Sequence, residues 1–514
     1  MATVDAHDLL QAAHNAADRG LYQSAKWLFE LADALPSSSQ PAAALSAEMS
    51  KDSVAYAIAK ASFDCREHLR CASMLKQAGM STAKSYFLHF YARFLASEKD
   101  RQEEGEILMG PRDNQANKEL PKLLEELLAV VHQGISDHFL LYLLGMLQRH
   151  LNRHEEAVQS LVQALTQNIY NHSAWQELML CMTSPSILAK TCSLLPTHPM
   201  TQLFNAVAQL DLHKSGPELS SLLDELASLL PGSGYIQRLR AIHAYNAQDY
   251  EQAELLFDAL HKADPHQLEG MDIYSNVLFV LERRAKLVDL AKRMTATDRF
   301  RPETCCVVGN YHSLSGEHEK AVLSFRKALK LNRNYLPAWT LMGHEYVELK
   351  NTHAAIESYR RAVDVNRKDY RAWYGLGQTY EMLEMHHYAL HYFQRAAALK
   401  PYDVRMWTAV GGCYEKLGRV PEAIKAFKRA LLGGEEATDP SYLAKLGDLH
   451  EQVGDQSSAA SFFNACVNLA DEHNIEGDPA IVRARLWLAR YLHASGRMAE
   501  AESVFSSPSG DTNH

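Results

Sequence analysis

AWTLMGHEY at 338–346, AWYGLGQTY at 372–380 and MWTAVGGCY at 406–414 are three copies of one pattern in strict register. They stand 34 residues apart, so Trp339, Trp373 and Trp407 share one column and Gly343, Gly377 and Gly411 another. Each copy is followed at constant offsets by an alanine (Ala355, Ala389, Ala423), an aromatic (Tyr359, Phe393, Phe427) and a second alanine (Ala362, Ala396, Ala430). Apolar residues recur at helical intervals on either side of a short turn such as Leu383-Glu384-Met385-His386, which predicts an antiparallel pair of helices, A and B, per copy. A glycine inside a helix costs about 1 kcal/mol relative to alanine, so its recurrence needs an offsetting gain. Close approach of helix A to helix B, with Ala355, Ala389 and Ala423 opposite the glycines, is the expected gain. The Trp and Phe/Tyr residues then fill the space between successive pairs. Pro401 and Pro265 fall where helix B must stop, because proline removes a donor and clashes with the preceding turn.

The period and its column of residues resemble the tetratricopeptide (TPR) repeat. The expected fold is all-α, a TPR solenoid in which antiparallel helix pairs stack into a right-handed superhelix. Working outward, Ala241, Ser275, Gly309, Gly343, Gly377 and Gly411 are successive small positions separated by 34 residues, which predicts one in-phase superhelix over 234–437. An insertion near Gly433-Gly434 shifts the next unit to Gly447, Ala459 and Phe463. Leu488-Ala489, Ala501 and Phe505 mark a last pair, so 438–505 are expected to cap the array and 506–514 to form a polar tail. Upstream, Leu144-Gly145, Ala157, Leu161 and Ala164, then Trp175 and Leu178 with a second helix over 186–194, and a further pair over 201–230 turning at Gly216-Pro217, make 136–233 a set of middle units.

Residues 1–135 read as a divergent helical region. Leu9, Leu10, Ala13 and Ala16 share a face, Arg19-Gly20-Leu21 turns, and Ala25, Phe29 and Ala32 take the helix-B positions. The Ser/Pro-rich 36–50 predicts a loop, and 55–76 and 81–95 predict two more helices. The second is strongly aromatic; Phe87, Phe90, Tyr91 and Phe94 serve either as intramolecular core or as a dimer face. The charged, glycine-containing 98–119 is expected to be a mobile insertion.

The chain of 514 residues has a net charge of −10, which argues against general nucleic-acid binding. It has no run of about 18 uninterrupted apolar residues, so no membrane span is expected. MATVDAHDLL at the start lacks a basic segment followed by an apolar core, so no secretory signal is expected. The 8 cysteines are scattered without a CxxC pair, which fits a reduced intracellular compartment. No GxxxxGK[ST], HExxH or GxSxG occurs, and GLG at 375–377 lies inside helix A without the strand–helix context of a phosphate loop. His386-His387 falls in a turn and reads as solvated. The NHS at 171–173 matches a glycosylation acceptor but lacks the secretory context. No catalytic residue, metal site or cofactor is expected, and the chain is not read as an enzyme.

Function is then expected on variable surface positions. The second, fifth, ninth and twelfth residues of each helix A face the groove in a TPR superhelix. Here they include Asp272, Asn276, Cys306, Asn310, Thr340, His344, Arg371, Tyr374, Gln378, Glu381 and Glu415. Side by side, such amides, carboxylates and a phenol can hydrogen-bond an extended peptide and pair with an arginine; a merely solvated polar groove is the bland alternative. The Lys/Asn arrangement of chaperone-adaptor clamps is missing, since Thr340/His344 and Tyr374/Gln378 hold the comparable positions. On helix B, Arg326-Lys327, Arg360-Arg361, Arg395 and Lys428-Arg429 predict an outward basic stripe, with 19 Lys+Arg against 15 Asp+Glu over 302–436. It reads as a solvated face or as a surface for an acidic neighbour.

Beyond the repeat, ETCCVVGNYHSLSGEHEKAVLSFRKALKLN (303–332), the stretch 338–383, YEKLG (414–418) and, more weakly, YFLHFYARFLASEKD (86–100) resemble the subunit 8 (Cdc23-type) family of the anaphase-promoting complex, or cyclosome. The resemblance is strongest over about 265–420, and 98–119 and the residues after 436 are less family-like. It implies a non-catalytic scaffold of a cell-cycle ubiquitin ligase, in nucleus and cytoplasm, with ubiquitin transfer left to cullin and RING subunits. It also implies a homodimer formed through the N-terminal half, stacking on other TPR and scaffold subunits, and a C-terminal groove receiving an arginine-containing box of a WD40-type coactivator. Glu381 or Glu345 would meet that arginine. The competing expectations are a free-standing TPR peptide adaptor or cochaperone, and a sugar-transferase TPR enzyme, which would need a catalytic domain after residue 510.

Overall fold

The computed structural model describes residues 6–33, 51–80, 82–107, 117–212, 216–433, 440–473, 475, 478–498 and 500–501. Among them every regular element is an α-helix, 27 in all. The chain divides at Pro265/His266 into two compact units, so residues 234–265 of the in-phase block belong to the first.

The first unit holds α1 (Ala6–Ala17), α2 (Tyr22–Asp33), α3 (Lys51–Asp64), α4 (His68–Ala78), α5 (Ala83–Ile107), α6 (Leu120–His132) and α7 (His138–His150). It continues with α8 (His154–Gln167), α9 (His172–Cys181), α10 (Pro185–Leu194), α11 (Pro199–Asp211), α12 (Pro217–Leu229), α13 (Gly234–Asn246) and α14 (Tyr250–Ala263). Several expectations change here. The stretch 55–76 is two helices, broken where Arg66 adopts a left-handed φ of 63°. Residues 98–107 continue α5, and Asn117 ties back to it by donating to the Ser97 hydroxyl at 2.9 Å; 108–116 lie outside the described residues. Phe29 is exposed, stacked edge-on with His14, while Leu28 and Leu31 take the core positions. Phe87, Phe90 and Phe94 are buried within the unit and Tyr91 is half-buried, with Phe87 packed on Phe139 and Tyr142, so these rings do not form an outward face. The predicted loop 36–50 lies outside the described residues.

The second unit holds α15 (Met271–Val280), α16 (Arg284–Thr297), α17 (Pro302–Leu314), α18 (His318–Leu331), α19 (Leu336–Glu348), α20 (Thr352–Val365) and α21 (Tyr370–Met382). It continues with α22 (His386–Leu399), α23 (Val404–Lys416), α24 (Val420–Ala430), α25 (Pro440–Val453), α26 (Gln456–Glu472) and α27 (Pro479–Ala494). Odd numbers through α25 are the A helices and even numbers the B helices. Leu488 and Ala489 are buried on α27 and Ala501 beyond it, while Phe505 and the tail lie outside the described residues.

Four devices repeat with the period. A Cβ on Gly309, Gly343, Gly377, Gly411 or Gly447 would lie 2.4–2.7 Å from the ring of Phe325, Tyr359, Phe393, Phe427 or Phe463, sixteen residues on. The glycine therefore makes room for an aromatic ring of helix B, rather than for the alanine twelve residues on. Tyr359 is held from both sides, because a Cβ on Gly375 of the next repeat would also meet it at 2.5 Å. Burying such a ring is worth roughly 1.5–3 kcal/mol, which offsets the helix cost of the glycine. The tryptophan column donates Nε1–H to the carbonyl six residues earlier, Trp339 to Arg333 (2.8 Å), Trp373 to Arg367 (3.0 Å) and Trp407 to Pro401 (2.8 Å), tying each helix A to the preceding loop. The A–B turn passes through positive φ at Glu282, Gly316, Lys350, Glu384 and Gly418, again one per repeat. Finally, Arg326 donates to the Tyr346 hydroxyl (2.6 Å), Arg360 to that of Tyr380 (2.8 Å) and Gln394 to that of Tyr414 (2.8 Å), locking each B helix to the next A helix.

Candidate functional site

The last device revises the basic stripe. Arg326 and Arg360 are bonded to tyrosines, and Arg361 pairs with Glu357 at 2.9 Å, so the regular part of the stripe is bonded within the chain. Lys327, Arg395, Lys428 and Arg429 stay exposed, as do Arg326 and Arg360 beside their tyrosine bonds.

The A-helix face of the second unit is set by the N-caps of α21 and α23. Asp369 accepts from the Arg371 amide (3.1 Å) and from the Thr340 hydroxyl (3.3 Å), and burial pushes its carboxyl above the usual carboxylate range. Asp403 accepts from the Arg405 amide (3.0 Å) and is bridged by the Arg405 guanidinium through Nε (3.2 Å) and Nη2 (3.0 Å). These caps orient the first turn of α21 and α23, on which Arg371, Tyr374 and Arg405 stand.

The residues expected to line a groove then separate into two groups. Asp272, Cys306, Asn310, Thr340 and Glu345 are buried. Asp272 accepts from the Tyr335 hydroxyl (2.7 Å), and Asn310 donates to Ser275 Oγ (2.8 Å) and Asn276 Oδ1 (2.7 Å). Glu345 accepts from the Ser313 hydroxyl (2.7 Å) and faces His318 Nδ1 (2.9 Å). It is thus a buried tie between repeats and does not meet an incoming arginine. These short side chains sit where the neighbouring A helix packs, so they bond across the repeat junction.

The second group stays accessible. His344 and Gln378 are exposed, and Arg371, Tyr374, Glu381 and Glu415 are partly so. His344 uses Nδ1 toward the Tyr359 hydroxyl (2.9 Å), and desolvation, with the Arg371 charge, holds its imidazole down to about 4. Tyr374 rests on Phe393 with centroids 5.3 Å apart, its phenol pushed up by burial against the opposing charge of Arg405. Glu381 accepts from Lys416 Nζ at 2.7 Å and Glu415 from Lys445 Nζ at 3.0 Å. Both carboxylates therefore come with a lysine from the next repeat, partners the position rule did not anticipate. Lys416 stands 35 residues after Glu381, one repeat plus one, which is the spacing that betrays it in the sequence. The bond from Glu381 holds the Lys416 ammonium above its ordinary range.

Among the described residues no group of three or more His, Cys, Asp or Glu is placed to hold a metal ion, and no helix is long and apolar enough to cross a membrane. What the face offers is a phenol ring, an amide, an imidazole and lysine-paired carboxylates on successive A helices.

These features define a TPR solenoid protein. Family models for TPR repeats match residues 302–335, 343–383 and 387–442, and the model for anaphase promoting complex subunit 8 / Cdc23 matches residues 6–241. The chain is 37% identical over 508 residues to the anaphase-promoting complex subunit CDC23 of Saccharomyces cerevisiae, spanning 86% of this chain and 80% of that protein. It is 35% identical over 409 residues to anaphase-promoting complex subunit 8 of Dictyostelium discoideum (68% and 69%). It is 43% identical over 303 residues to that of Arabidopsis thaliana, where the match spans 58% of this chain but only 51% of the relative. The chain belongs to the anaphase-promoting complex subunit 8/Cdc23 family. A crystal structure of an APC/C Cut9–Hcn1 hetero-tetramer shares the fold, with a TM-score of 0.58 at 17% identity over 98% of this chain and 94% of that one.

Proposed function

We propose that this chain is a non-catalytic scaffold subunit of the anaphase-promoting complex, found in nucleus and cytoplasm. It pairs with a second copy of itself, stacks on other TPR and scaffold subunits, and receives an arginine-bearing segment of a WD40-type coactivator on the A-helix face of its second unit. The observation carrying the peptide reading is the separation on that face. Asn310 and Glu345 are consumed by inter-repeat bonds, whereas His344, Tyr374 and Gln378 keep accessible polar groups on adjacent helices. An arginine would lie against the Tyr374 ring, a contact worth about 0.5–2 kcal/mol, and exchange with Lys416 for Glu381. Each Asn or Gln side chain can at once donate to and accept from a peptide backbone, which suits Gln378 to an extended ligand.

The scaffold reading is tested by capturing the tagged full chain from dividing cells and weighing the assembly by native mass spectrometry. Recovery of the other TPR subunits in one large complex, and a dimer for the isolated chain, are the expected results. An isolated monomer recovered without those subunits overturns the reading.

A further inference from the structure

The repeat fails at one place. α24 has 11 residues, against 14 for each of the preceding B helices α18, α20 and α22. It stops at Ala430, and Gly433 follows so close to the previous loop that a Cβ there would lie 2.7 Å from the Tyr402 carbonyl oxygen and 2.6 Å from Val404 Cγ2. The early stop carries Leu432 into solvent, 73% exposed, beside Tyr402 at 75%.

The result is a two-part cleft on the B-helix side. A cavity of 370 Å³ over α23, walled by Ala397, Ala398, Trp407 and Val410, adjoins one of 460 Å³ flanked by Tyr402, Lys425, Lys428 and Leu432. Pro401 and Arg429 line both. The floor is rigid, since the Trp407 indole is bonded to the Pro401 carbonyl and the Arg429 guanidinium lies 4.8 Å from the centroid of a Trp407 ring. Among the described residues no carboxylate lines either part and no ion pair engages Lys425, Lys428 or Arg429, and Lys428 Nζ lies 5.4 Å from the Phe462 ring centroid. In the preceding repeats, by contrast, Arg326 and Arg360 are tied down by tyrosines.

We propose that this cleft docks an acidic, extended segment of a partner protein. One aliphatic or aromatic side chain enters the cavity against Trp407 and Val410, and flanking carboxylates meet Lys425, Lys428 and Arg429. The charge is complementary, and a cationic rim without an ion pair among the described residues, around an apolar floor, favours such a ligand over a neutral one. The site is built from B helices and does not depend on the reading of Tyr374 and Gln378.

The test is fluorescence anisotropy of the full chain with a short fluorescein-labelled, glutamate-rich peptide carrying one central phenylalanine. Expected are binding that weakens with salt and a loss of about tenfold, some 1.4 kcal/mol, in Lys425→Glu with Arg429→Glu. Lys428→Glu, which leaves the Arg429–Trp407 contact in place, should weaken binding as well, and so should replacing the peptide phenylalanine by serine. Unchanged affinity in a helical, folded Lys428→Glu variant overturns the proposal, and so does loss on Tyr374→Ala alone. Two other occupants would also overturn it. Binding that appears only after Glu435→Gln with Glu436→Gln would assign the cleft to the chain's own acidic stretch. Conversion of a dimer to a monomer by Lys428→Glu would assign it to a second copy.

Discussion

The second unit solves its packing once and repeats the solution; the first solves it differently at each step. From Gly309 to Gly447 every A helix leaves room for a ring of its B helix. In the first unit the comparable position at Gly145 faces Leu161, whose Cγ would lie 2.6 Å from an added Cβ, and Ala241 takes the place further on. What the first unit has instead are single, local polar ties. Arg19 pairs with Asp137 (3.0 Å) and lies over Phe139, Arg149 pairs with Glu177 (2.6 Å), and the Ser24 and Ser173 hydroxyls meet at 2.6 Å. Repetition leaves the second unit's variable positions free to diverge. Idiosyncratic packing ties the first unit's polar residues to its own fold.

The largest expected effect comes from removing a ring. Phe393→Ala should cost about 3–5 kcal/mol, read from denaturant unfolding, because it opens a cavity that Gly377 cannot fill. Phe393→Leu with Gly377 kept imitates the Gly145/Leu161 arrangement and should cost less than Phe393→Ala. An equal cost would mean that the ring does more than occupy the glycine's space.

Next in size is the buried tie at Glu345. Glu345→Ala leaves Ser313 and His318 facing an empty site and should destabilise by about 1–3 kcal/mol. Coactivator-peptide affinity of the folded protein should not change. A selective loss of affinity would return Glu345 to the binding face.

Acid should load the first unit more heavily than the second. Burial holds the His138, His150 and His172 imidazoles of the first unit down to about 4, with the cations Arg19 and Arg149 adding to it at His138 and His150 and Asp137 opposing at His138. A histidine whose folded pKa lies below its unfolded value stabilises the neutral fold, and that stability is present above the unfolded pKa and lost as pH falls toward the folded one. Between about pH 6.5 and 4 the first unit should therefore loosen. His172 stacks on Trp27 with centroids 4.0 Å apart, so tryptophan emission should report the change. His172→Gln should flatten the pH slope of Tm; an unaltered slope would exclude this histidine. His344 and His450 of the second unit shift in the same direction, so the difference between the units is one of degree.

The smallest effect concerns the lock between repeats. Tyr380→Phe removes the acceptor for Arg360 and should cost about 1 kcal/mol, since the guanidinium can turn to water. The same change at Tyr346 should match it if the device is truly periodic.

The repeat and its phase were legible in the sequence because columns of Trp, Gly and Ala report packing directly. The partner of the glycine was not. Helix periodicity places both Ala355 and Tyr359 near Gly343, and only the tilt of helix B decides that the ring takes the space. The same limit affected the face. Position within helix A marked Asn310 as outward, and the resemblance put Glu345 against the arginine, but both are buried and bonded to the preceding repeat, a tertiary contact. His344, Tyr374 and Gln378 carried the same positional signal and are accessible, and nothing in their spacing told them apart from the buried set. The left-handed turn at Arg66 sits in a charged CREH stretch without glycine, so the break within 55–76 left no trace.

The central claim is that the column residues build the second unit and the variable residues Tyr374 and Gln378 bind. Its most direct test is a titration of the arginine-box peptide of a WD40-type coactivator against the full chain, wild type and Tyr374→Ala with Gln378→Ala. A loss of about tenfold or more with unchanged helicity and dimer mass is the predicted result; equal affinity in the two proteins would contradict it.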